Sequence, residues 1–242
     1  MKWAAGIALS VAAVLAASVA TAGAGSDPFV SGSTGYDAAA GQCGSTPPTA
    51  QFAVLNVTGG RPFSANSCLA AEVAAAGSAS VSFYFNTGYS GAYGRRVTSD
   101  CSSSASAHGF AGKAAQAYAI GCSEARYALG RASGYAPSSW WLDVELANSW
   151  SSSSTDLNVA TIQGALDAMH AATPAPVGVY STAWSWQTIT GGSSLNGVDA
   201  SWVVAGNGYR CGGTAFSQSP VWLVQGGIVA SGGVQYDSDT AC

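Results

Sequence analysis

Two acidic residues stand two positions apart in an otherwise apolar and aromatic segment, residues 140–146. Alternation along a β-strand places Asp143 and Glu145 on one face, roughly 6.6 Å apart, and the apolar neighbours up to Leu146 on the other. Two ionised carboxylates that close in a partly dry site repel each other, so the pKa of one should rise. A protonated Glu beside an ionised Asp can supply the general acid and the charge stabiliser of glycoside hydrolysis. The alternative is a pair of strand-end acids that are solvated or paired with Lys or Arg, of which the chain has only eight.

Other acidic residues also follow predicted strands. Asp37 comes after the first strand and Asp237 ends the last. The carboxyl ends of parallel barrel strands form one functional face. We therefore expect four candidate catalytic acids at one mouth: Asp37, Asp143, Glu145 and Asp237. Asp37 and Asp239 have an alternative role as turn or cap residues. The other two glutamates, Glu72 and Glu124, fall in predicted helices and are expected to be solvated.

Aromatic and amide side chains lie in or directly after the same predicted strands. Flat rings with polar tips suit stacking on the pyranose rings of a saccharide. The candidate substrate-binding residues are Tyr84, Asn86, Trp141, Tyr180, Trp202 and Trp222. For each aromatic residue, burial in the core is an equally good interpretation.

The elements that must position these residues alternate between strands and helices. Strand-like runs occur at residues 34–36, 51–57, 80–85, 140–146, 176–181, 201–205, 221–225 and 233–236. Helical patterns occur at residues 68–76, 108–132 and 156–172, with a shorter helix after Ser181. This alternation predicts an α/β fold with a parallel sheet covered on its faces. Eight strands in about 220 residues favour a single TIM-like (β/α) barrel with some helices shortened or missing. A doubly wound open sheet is the alternative, but no Gly-x-Gly-x-x-Gly follows an early strand.

The N-terminal segment has the pattern of a signal peptide. Lys2 precedes an uncharged apolar run, and Ala20-Thr21-Ala22 offers a small-x-small cleavage site. We therefore expect residues 1–22 to be removed, leaving one domain over residues 23–242 in a secreted protein with no membrane association. A membrane anchor is the alternative.

Composition narrows the function classes. Only 8% of the 242 residues are charged, against about 25% in an average chain, and the formal net charge is −4. The aromatic content excludes disorder, and the acidic balance argues against a nucleic-acid partner. A nucleophilic serine hydrolase is disfavoured because Gly-x-Ser-x-Gly does not occur.

Six cysteines remain after the signal segment. An even number in an exported chain predicts three disulfides, and six cysteines allow 15 pairings. We favour sequential pairing: Cys43–Cys68, Cys101–Cys122 and Cys211–Cys242. A metal site is not expected, since the chain has no Cys-x-x-Cys and only two histidines.

Several short motifs follow one another in a characteristic order. They are Gly35-Tyr36-Asp37, Ser82-Phe83-Tyr84-Phe85, Trp141-Leu142-Asp143-Val144-Glu145, Val177-Gly178-Val179-Tyr180-Ser181, Trp202-Val203-Val204-Ala205, the segment from Trp222 to Gln225, and Tyr236-Asp237-Ser238-Asp239. The ordered set resembles secreted bacterial members and relatives of glycoside hydrolase family 25, the N-acetylmuramidase-type lysozymes. The resemblance covers most of the chain after the signal segment.

The resemblance implies a flattened (β/α) barrel that cleaves the β-1,4 bond between N-acetylmuramic acid and N-acetylglucosamine in peptidoglycan. It implies Glu145 as general acid/base and Asp143 as nucleophile or stabiliser of an oxazolinium formed by the substrate's acetamido group. Asp37 and Asp237 match the two other acids that line the site, and Gln225 matches a substrate-binding position. The implied partner is a polysaccharide, no cofactor is implied, and we expect a monomer.

The sequence also departs from that pattern. Three alanines and a glycine separate Asp37 from Gln42, where the family has a hydroxyl residue and an aromatic residue before Gln, and Phe85-Asn86 replaces a histidine beside Tyr84. The reshaped first-strand loop motivates a second hypothesis, a non-catalytic glycan-binding protein on the same barrel. A third hypothesis is an exported α/β protein that serves wall maintenance through a protein partner.

Overall fold

The computed structural model describes residues 25–206 and 210–242, so the predicted signal segment lies outside the described residues. Within them, eight strands close into one barrel in chain order. The strands are β1 (Thr34–Ala38), β2 (Phe52–Asn56), β3 (Ser80–Asn86), β4 (Trp140–Asp143), β5 (Val177–Ser181), β6 (Ser201–Val204), β7 (Val221–Ser231) and β8 (Val234–Ala241). The predicted single α/β barrel is confirmed.

Five α-helices and two 3-10 helices connect the strands in the described part of the chain. They are α1 (Leu69–Ala76), α2 (Ser99–Ala107), α3 (Gly112–Arg131), α4 (Thr155–Ala172), α5 (Ala183–Thr190) and the 3-10 helices Ala40–Gln42 and Gly91–Arg96. The predicted helix 108–132 was wrong at its start, because α2 ends before His108 and α3 begins at Gly112. The chain turns at Gly109, whose φ of 80° suits glycine.

The last strand does not follow the parallel arrangement that the sequence predicted. β8 pairs antiparallel with both β7 and β1, whereas the other neighbouring strands run parallel. The reason is the connection: Gly232 and Gly233, with φ of 56° and 82°, form a tight hairpin turn. Such a turn joins antiparallel strands, since a parallel pair needs a long crossover. Reversal puts the beginning of β8 at the mouth, where Asp237 pairs in register with Asp37.

Alternation along the strands divides the core into two layers. The barrel interior contains a cluster that includes Phe52, Trp141, Trp202 and Trp222, and Phe29 from the N-terminal segment packs against it. Outward-facing side chains of the same strands, such as those of Leu55, Phe83, Phe85 and Leu142, pack against the helices. The aromatic interior forms the floor beneath the mouth of the barrel.

Helices are missing from part of the outer layer. Among the described residues, the connections from β1 to β2, from β6 to β7 and from β7 to β8 contain no α-helix. Two disulfides fasten irregular segments there, Cys43 to Cys68 and Cys211 to Cys242, and a third joins Cys101 on α2 to Cys122 on α3. The sequential pairing is thus confirmed. A search of the described residues finds no helix long and apolar enough to span a bilayer.

The closest helix contact is between α3 and α4. A Cβ atom built on Gly121 would collide with the backbone carbonyl of Thr161, and one built on Gly164 would collide with the backbone of Tyr118. The two glycines therefore allow the helix backbones to touch. This contact fixes the position of α3 and of the buried residues that it carries.

We expect Gly121→Ala and Gly164→Ala each to lower the free energy of unfolding by about 1–3 kcal/mol or more, because the added methyl group forces the helices apart. Denaturant unfolding monitored by circular dichroism measures this. Gly130→Ala is the matched control, since a Cβ there meets no atom within 4 Å, and it should be neutral or stabilising by up to about 1 kcal/mol. Equal effects at all three positions would contradict the close-packing explanation.

Candidate active site

A cavity of about 140 Å³ opens at the mouth of the barrel. It is lined by Asp37, Tyr84, Asp143, Glu145, Tyr180, Trp202, Gln225 and Asp237. All four acids that the sequence singled out therefore meet in one place. A second hollow of about 200 Å³, which extends along the β7–β8 hairpin, shares Gln225 and Asp237 with this cavity. The two hollows meet at these two residues, and three of the four carboxylates line only the first.

Asp143 is the last residue of β4 and is buried at the bottom of the cavity. The side-chain amide of Asn86 donates a hydrogen bond to Oδ2 of Asp143, and Oδ1 has no hydrogen-bond partner within the described chain. Burial raises the pKa of the Asp143 carboxyl well above its usual range, and the neighbouring Glu145 raises it further. Oδ1 is thus a buried polar atom without a hydrogen-bond partner among the described residues.

Glu145 lies two residues beyond the end of β4, on a turn rather than on the strand. Its backbone carbonyl accepts hydrogen bonds from Nε1 of Trp150 at 2.7 Å and from the backbone N–H of Asn148 at 3.0 Å, which hold the turn in place. The side chain is half-buried. Burial raises the pKa of the carboxyl, the Tyr180 hydroxyl lowers it, and Asp237 raises it. A carboxyl with a raised pKa and an opening to solvent suits proton exchange with a bound molecule.

The end of β4 explains one wrong expectation. The alternating pattern predicted Leu146 on the buried apolar face, but its side chain is 44% exposed. Strand alternation no longer applies beyond Asp143, because the chain turns there.

A chain of hydrogen bonds crosses the cavity. The Tyr180 hydroxyl donates to Oε1 of Gln225 at 2.9 Å, and Nε2 of Gln225 donates to Oδ2 of Asp37 at 2.9 Å. Burial raises the pKa of Asp37 to about 7, against the lowering effect of Gln225, and Asp237 raises it further. Asp37 is therefore a cavity residue and not the turn or cap residue of the alternative interpretation.

Asp239 lies one layer deeper than Asp237 on β8 and is 1% exposed. Nε1 of Trp202 donates to its Oδ1 at 2.8 Å, so the turn or cap interpretation of Asp239 is also wrong. Burial and the neighbouring Asp37 raise the pKa of Asp239 well above its usual range. Trp202 contributes to the cavity wall and also holds this second layer.

Not every predicted substrate-binding residue reaches the cavity. Tyr84, Tyr180, Trp202 and Gln225 line it, whereas Trp141 and Trp222 are buried in the barrel interior. Inward-facing positions lower in the strands fill the barrel, so these two indoles form the floor. Asn86 is buried as well and binds Asp143. It also accepts a hydrogen bond from Oγ1 of Thr58 at 2.7 Å.

The sequence interpretation missed Glu124 on α3. It was expected to be solvated, but it is 1% exposed, and its Oε2 accepts hydrogen bonds from the Thr87 hydroxyl at 2.7 Å and the Gly88 amide at 3.2 Å. These two residues directly follow Asn86, so Glu124 holds the segment that positions the partner of Asp143. Burial raises the pKa of Glu124 well above its usual range. Helical spacing could have revealed it, since Ala117, Ile120, Gly121 and Ala128 share its buried face.

Glu72 on α1 is also buried rather than solvated. Its Oε2 accepts a hydrogen bond from Nδ2 of Asn66 at 2.7 Å, and burial raises its pKa. It lines a separate hollow of about 160 Å³ with Tyr36 and Tyr236, outside the barrel, where the β1–β2 connection has no α-helix.

The buried carboxyls predict how stability depends on pH. A carboxyl whose pKa is raised by folding keeps its proton in the folded state and releases it on unfolding at pH values above about 4.3. The free energy of unfolding should therefore fall as pH rises from about 4 towards 7, by up to about 1.4 kcal/mol per pH unit for each titrating group. Thermal unfolding across this range measures it.

The Glu124→Gln variant isolates the contribution of Glu124 to this pH dependence. Its amide oxygen can still accept the two hydrogen bonds, and the amide does not titrate. This variant should show a smaller loss of stability with rising pH than the wild type. Asp156→Asn, on the exposed first turn of α4, is the control and should leave the slope unchanged. A Glu124→Gln slope equal to that of the wild type would show that Glu124 is already ionised when folded.

The sequence matches no protein-family model and no curated protein sequence. The fold is similar to solved structures, among them the bacterial lysozyme from Streptomyces coelicolor (TM-score 0.60, 18% identity, 88% of this chain and 93% of that one). A family GH25 lysozyme from Aspergillus fumigatus matches with a TM-score of 0.58 and 17% identity over 87% of this chain and 93% of that one. A muramidase from Acremonium alcalophilum matches with a TM-score of 0.57 and 17% identity over 86% and 93%. The barrel fold is therefore that of these lysozymes.

Proposed function

We propose that this protein is a secreted glycoside hydrolase of the muramidase type, with peptidoglycan as its substrate. The observation that carries the proposal is the convergence of four acids in one polar cavity, with Asp143 buried and Glu145 half-buried at its opening. The fold shared with the lysozymes and muramidases above supports the same substrate class. The three disulfides support export, because disulfides persist in oxidising compartments.

Each acid has a role in the proposed reaction. Glu145 donates its proton to the glycosidic oxygen as the bond from C1 to that oxygen breaks, and positive charge develops on the sugar ring. Asp143, which lines the cavity, stabilises that charge as a carboxylate, either directly or through the substrate's acetamido N–H. Water then adds to C1, and the Glu145 carboxylate takes up the proton that the water loses. Atoms and charge balance over the cycle, and the chemistry requires no cofactor.

The other cavity residues hold the sugar. Asp37 and Asp237 offer carboxylate oxygens to its hydroxyl groups, and Gln225 is kept in place between Tyr180 and Asp37. The rings of Tyr84, Tyr180 and Trp202 provide apolar faces beside these acceptors. An arrangement of carboxylates and aromatic rings with no exposed cation among the lining residues suits a neutral glycan backbone.

We expect Glu145→Gln to reduce the clearing of a peptidoglycan suspension by about 10²–10⁴-fold, because the general acid is lost. Asp143→Asn should cause a loss of similar size, and both variants should still sediment with cell walls. Asp156→Asn is the control and should clear the suspension like the wild type. If the wild type sediments with walls but does not clear them or release reducing ends, the protein is the glycan-binding protein that the reshaped first-strand loop also allows.

The pH dependence of clearing tests the assignment of Glu145. A general acid is active while protonated, so activity falls as pH rises through its pKa. Because folding raises the pKa of Glu145 above its ordinary value, activity should persist at pH values where an exposed Glu is already ionised. The rate at saturating substrate, measured from pH 4 to 9, should show this limb. A rate that is flat across the range would argue against Glu145 as the acid.

A further inference from the structure

Positive charge is concentrated in one stretch of this acidic chain. Six of its eight Lys and Arg residues occur between positions 61 and 131: Arg61, Arg95, Arg96, Lys113, Arg126 and Arg131. The same stretch has three acids, of which Glu72 and Glu124 are buried. The third, Asp100, is paired with Arg126 at 2.8 Å. The exposed charge of this region is therefore almost entirely positive, although the whole chain is negative.

Three of these arginines form what we call the basic rim: Arg61, Arg95 and Arg96. Arg61 lies in the segment after β2, and Arg95 and Arg96 lie in the segment after β3, so all three are at the same end of the barrel as the acidic cavity. Nη2 of Arg96 donates a hydrogen bond to the carbonyl of Phe63 at 3.4 Å. Arg61 precedes Phe63 by two residues, a chain distance of about 7 Å at most.

The segment that carries Arg61 also packs against the support of the cavity. Pro62 and the carbonyl of Ser149 fill the space beside Gly88, which directly follows the Asn86-Thr87 pair. Thr58 in the same segment donates a hydrogen bond to Asn86, the partner of Asp143. The basic rim is therefore joined to the residues that position Asp143, and it does not lie on a remote surface.

Phe63 gives this rim a fixed shape. Its φ of 57° lies in the left-handed region, which costs a bulky residue roughly 1 kcal/mol or more. The ring is held between Tyr93 at 5.6 Å and Tyr127 at 6.0 Å, and the Arg96 guanidinium lies 5.3 Å from its centre. The neighbouring contacts thus maintain a strained backbone that orders the loop between the arginines.

The guanidinium groups of Arg61 and Arg95 are exposed and available. Neither has a carboxylate within 4 Å in the part of the chain that the structure describes. An Arg guanidinium offers a planar fork of donors that matches the oxygens of a phosphate or a carboxylate.

The rim presents several cations together. Arg61, Arg95 and Arg96 are all exposed, on the connections that follow the neighbouring strands β2 and β3. Several guanidinium groups on one rim suit a ligand with repeated negative charges better than a single carboxylate group.

We propose that the basic rim binds a phosphodiester polymer of the bacterial cell wall. Such a polymer would hold the protein on the wall while the glycan occupies the neighbouring acidic cavity. The location of this ligand rests on the proposed function, but its binding does not require that glycan cleavage occurs. The occupant is identified by its chemistry, a flexible chain with one negative charge per repeat.

The test compares two variants in a binding assay. Arg61→Gln/Arg95→Gln removes two unpaired cations and leaves Arg96, which also holds Phe63, in place. Arg210→Gln removes an exposed cation from the segment before β7, on another side of the barrel. Binding to intact walls is measured by sedimentation, and binding to purified poly(glycerol phosphate) by fluorescence anisotropy. Both assays are repeated over a range of salt concentrations. Walls stripped of phosphodiester polymers with hydrofluoric acid provide the reference.

We expect the double variant to bind poly(glycerol phosphate) and intact walls about ten-fold more weakly at low salt, with Arg210→Gln close to the wild type. The slope of log affinity against log salt should decrease by roughly 1.4, since each neutralised phosphate of a single-stranded polyanion contributes about 0.7. On stripped walls all three proteins should bind alike. Circular dichroism confirms that the double variant is folded.

Two outcomes would overturn the proposal. One is equal binding of the double variant and Arg210→Gln to intact walls, and the other is the same loss of binding on stripped walls. The second outcome would identify carboxylates of the wall peptide as the occupant. Reducing-end release by the wild type on stripped walls tests the proposed hydrolase separately. No release together with rim-dependent binding would refute the hydrolase and retain the rim.

Discussion

The rest of the structure depends on one constraint: carboxyl groups are buried in a barrel that holds few cations. Asp37, Asp143 and Asp239 lie at or below the mouth, and no Lys or Arg lines the cavity around them. An isolated ionised carboxylate is costly to bury, so these groups must be protonated or hold neutral hydrogen-bond donors. Amide, indole and hydroxyl groups supply those donors here, which keeps the acids in place without neutralising them through ion pairs. Carboxyl groups with raised pKa values at the mouth are a direct result of this burial.

The supporting structure is organised around the same acids. Asn86 holds Asp143, and Glu124 on α3 holds the two residues after Asn86. α3 is in turn fixed against α4 by backbone contact at Gly121. Burying the carboxyl of Glu124 costs stability. Because Glu124 lies behind the cavity wall and holds the residues after Asn86, the same burial also positions the site. Stability and site geometry are therefore coupled through one helix.

The barrel tolerates the loss of several outer helices because other features close the surface. The β7–β8 hairpin reverses the last strand and completes the barrel without a crossover, and disulfides fasten the segments that would otherwise be helical. On the side where these helices are missing, the hollow beside Gln225 and Asp237 is accessible. The opposite arc of the mouth, after β2 and β3, has longer connections and carries the arginines. The two sides of the mouth thus differ in charge and in the length of their connections.

Local patterns in the sequence were sufficient for the strands and most of the helices, because strand alternation and helical spacing are local properties. The favoured cysteine pairing and the group of four acids also relied on chain order and on the barrel hypothesis. The tertiary structure decided the rest. Short connections set the direction of β8, which is why Asp237 reaches the mouth from the start of its strand rather than its end. Burial depends on which surfaces meet in space, so Trp141 forms the floor rather than the wall, and Glu124 lies inside rather than in solvent. No local pattern contains those contacts, since they join elements far apart along the chain.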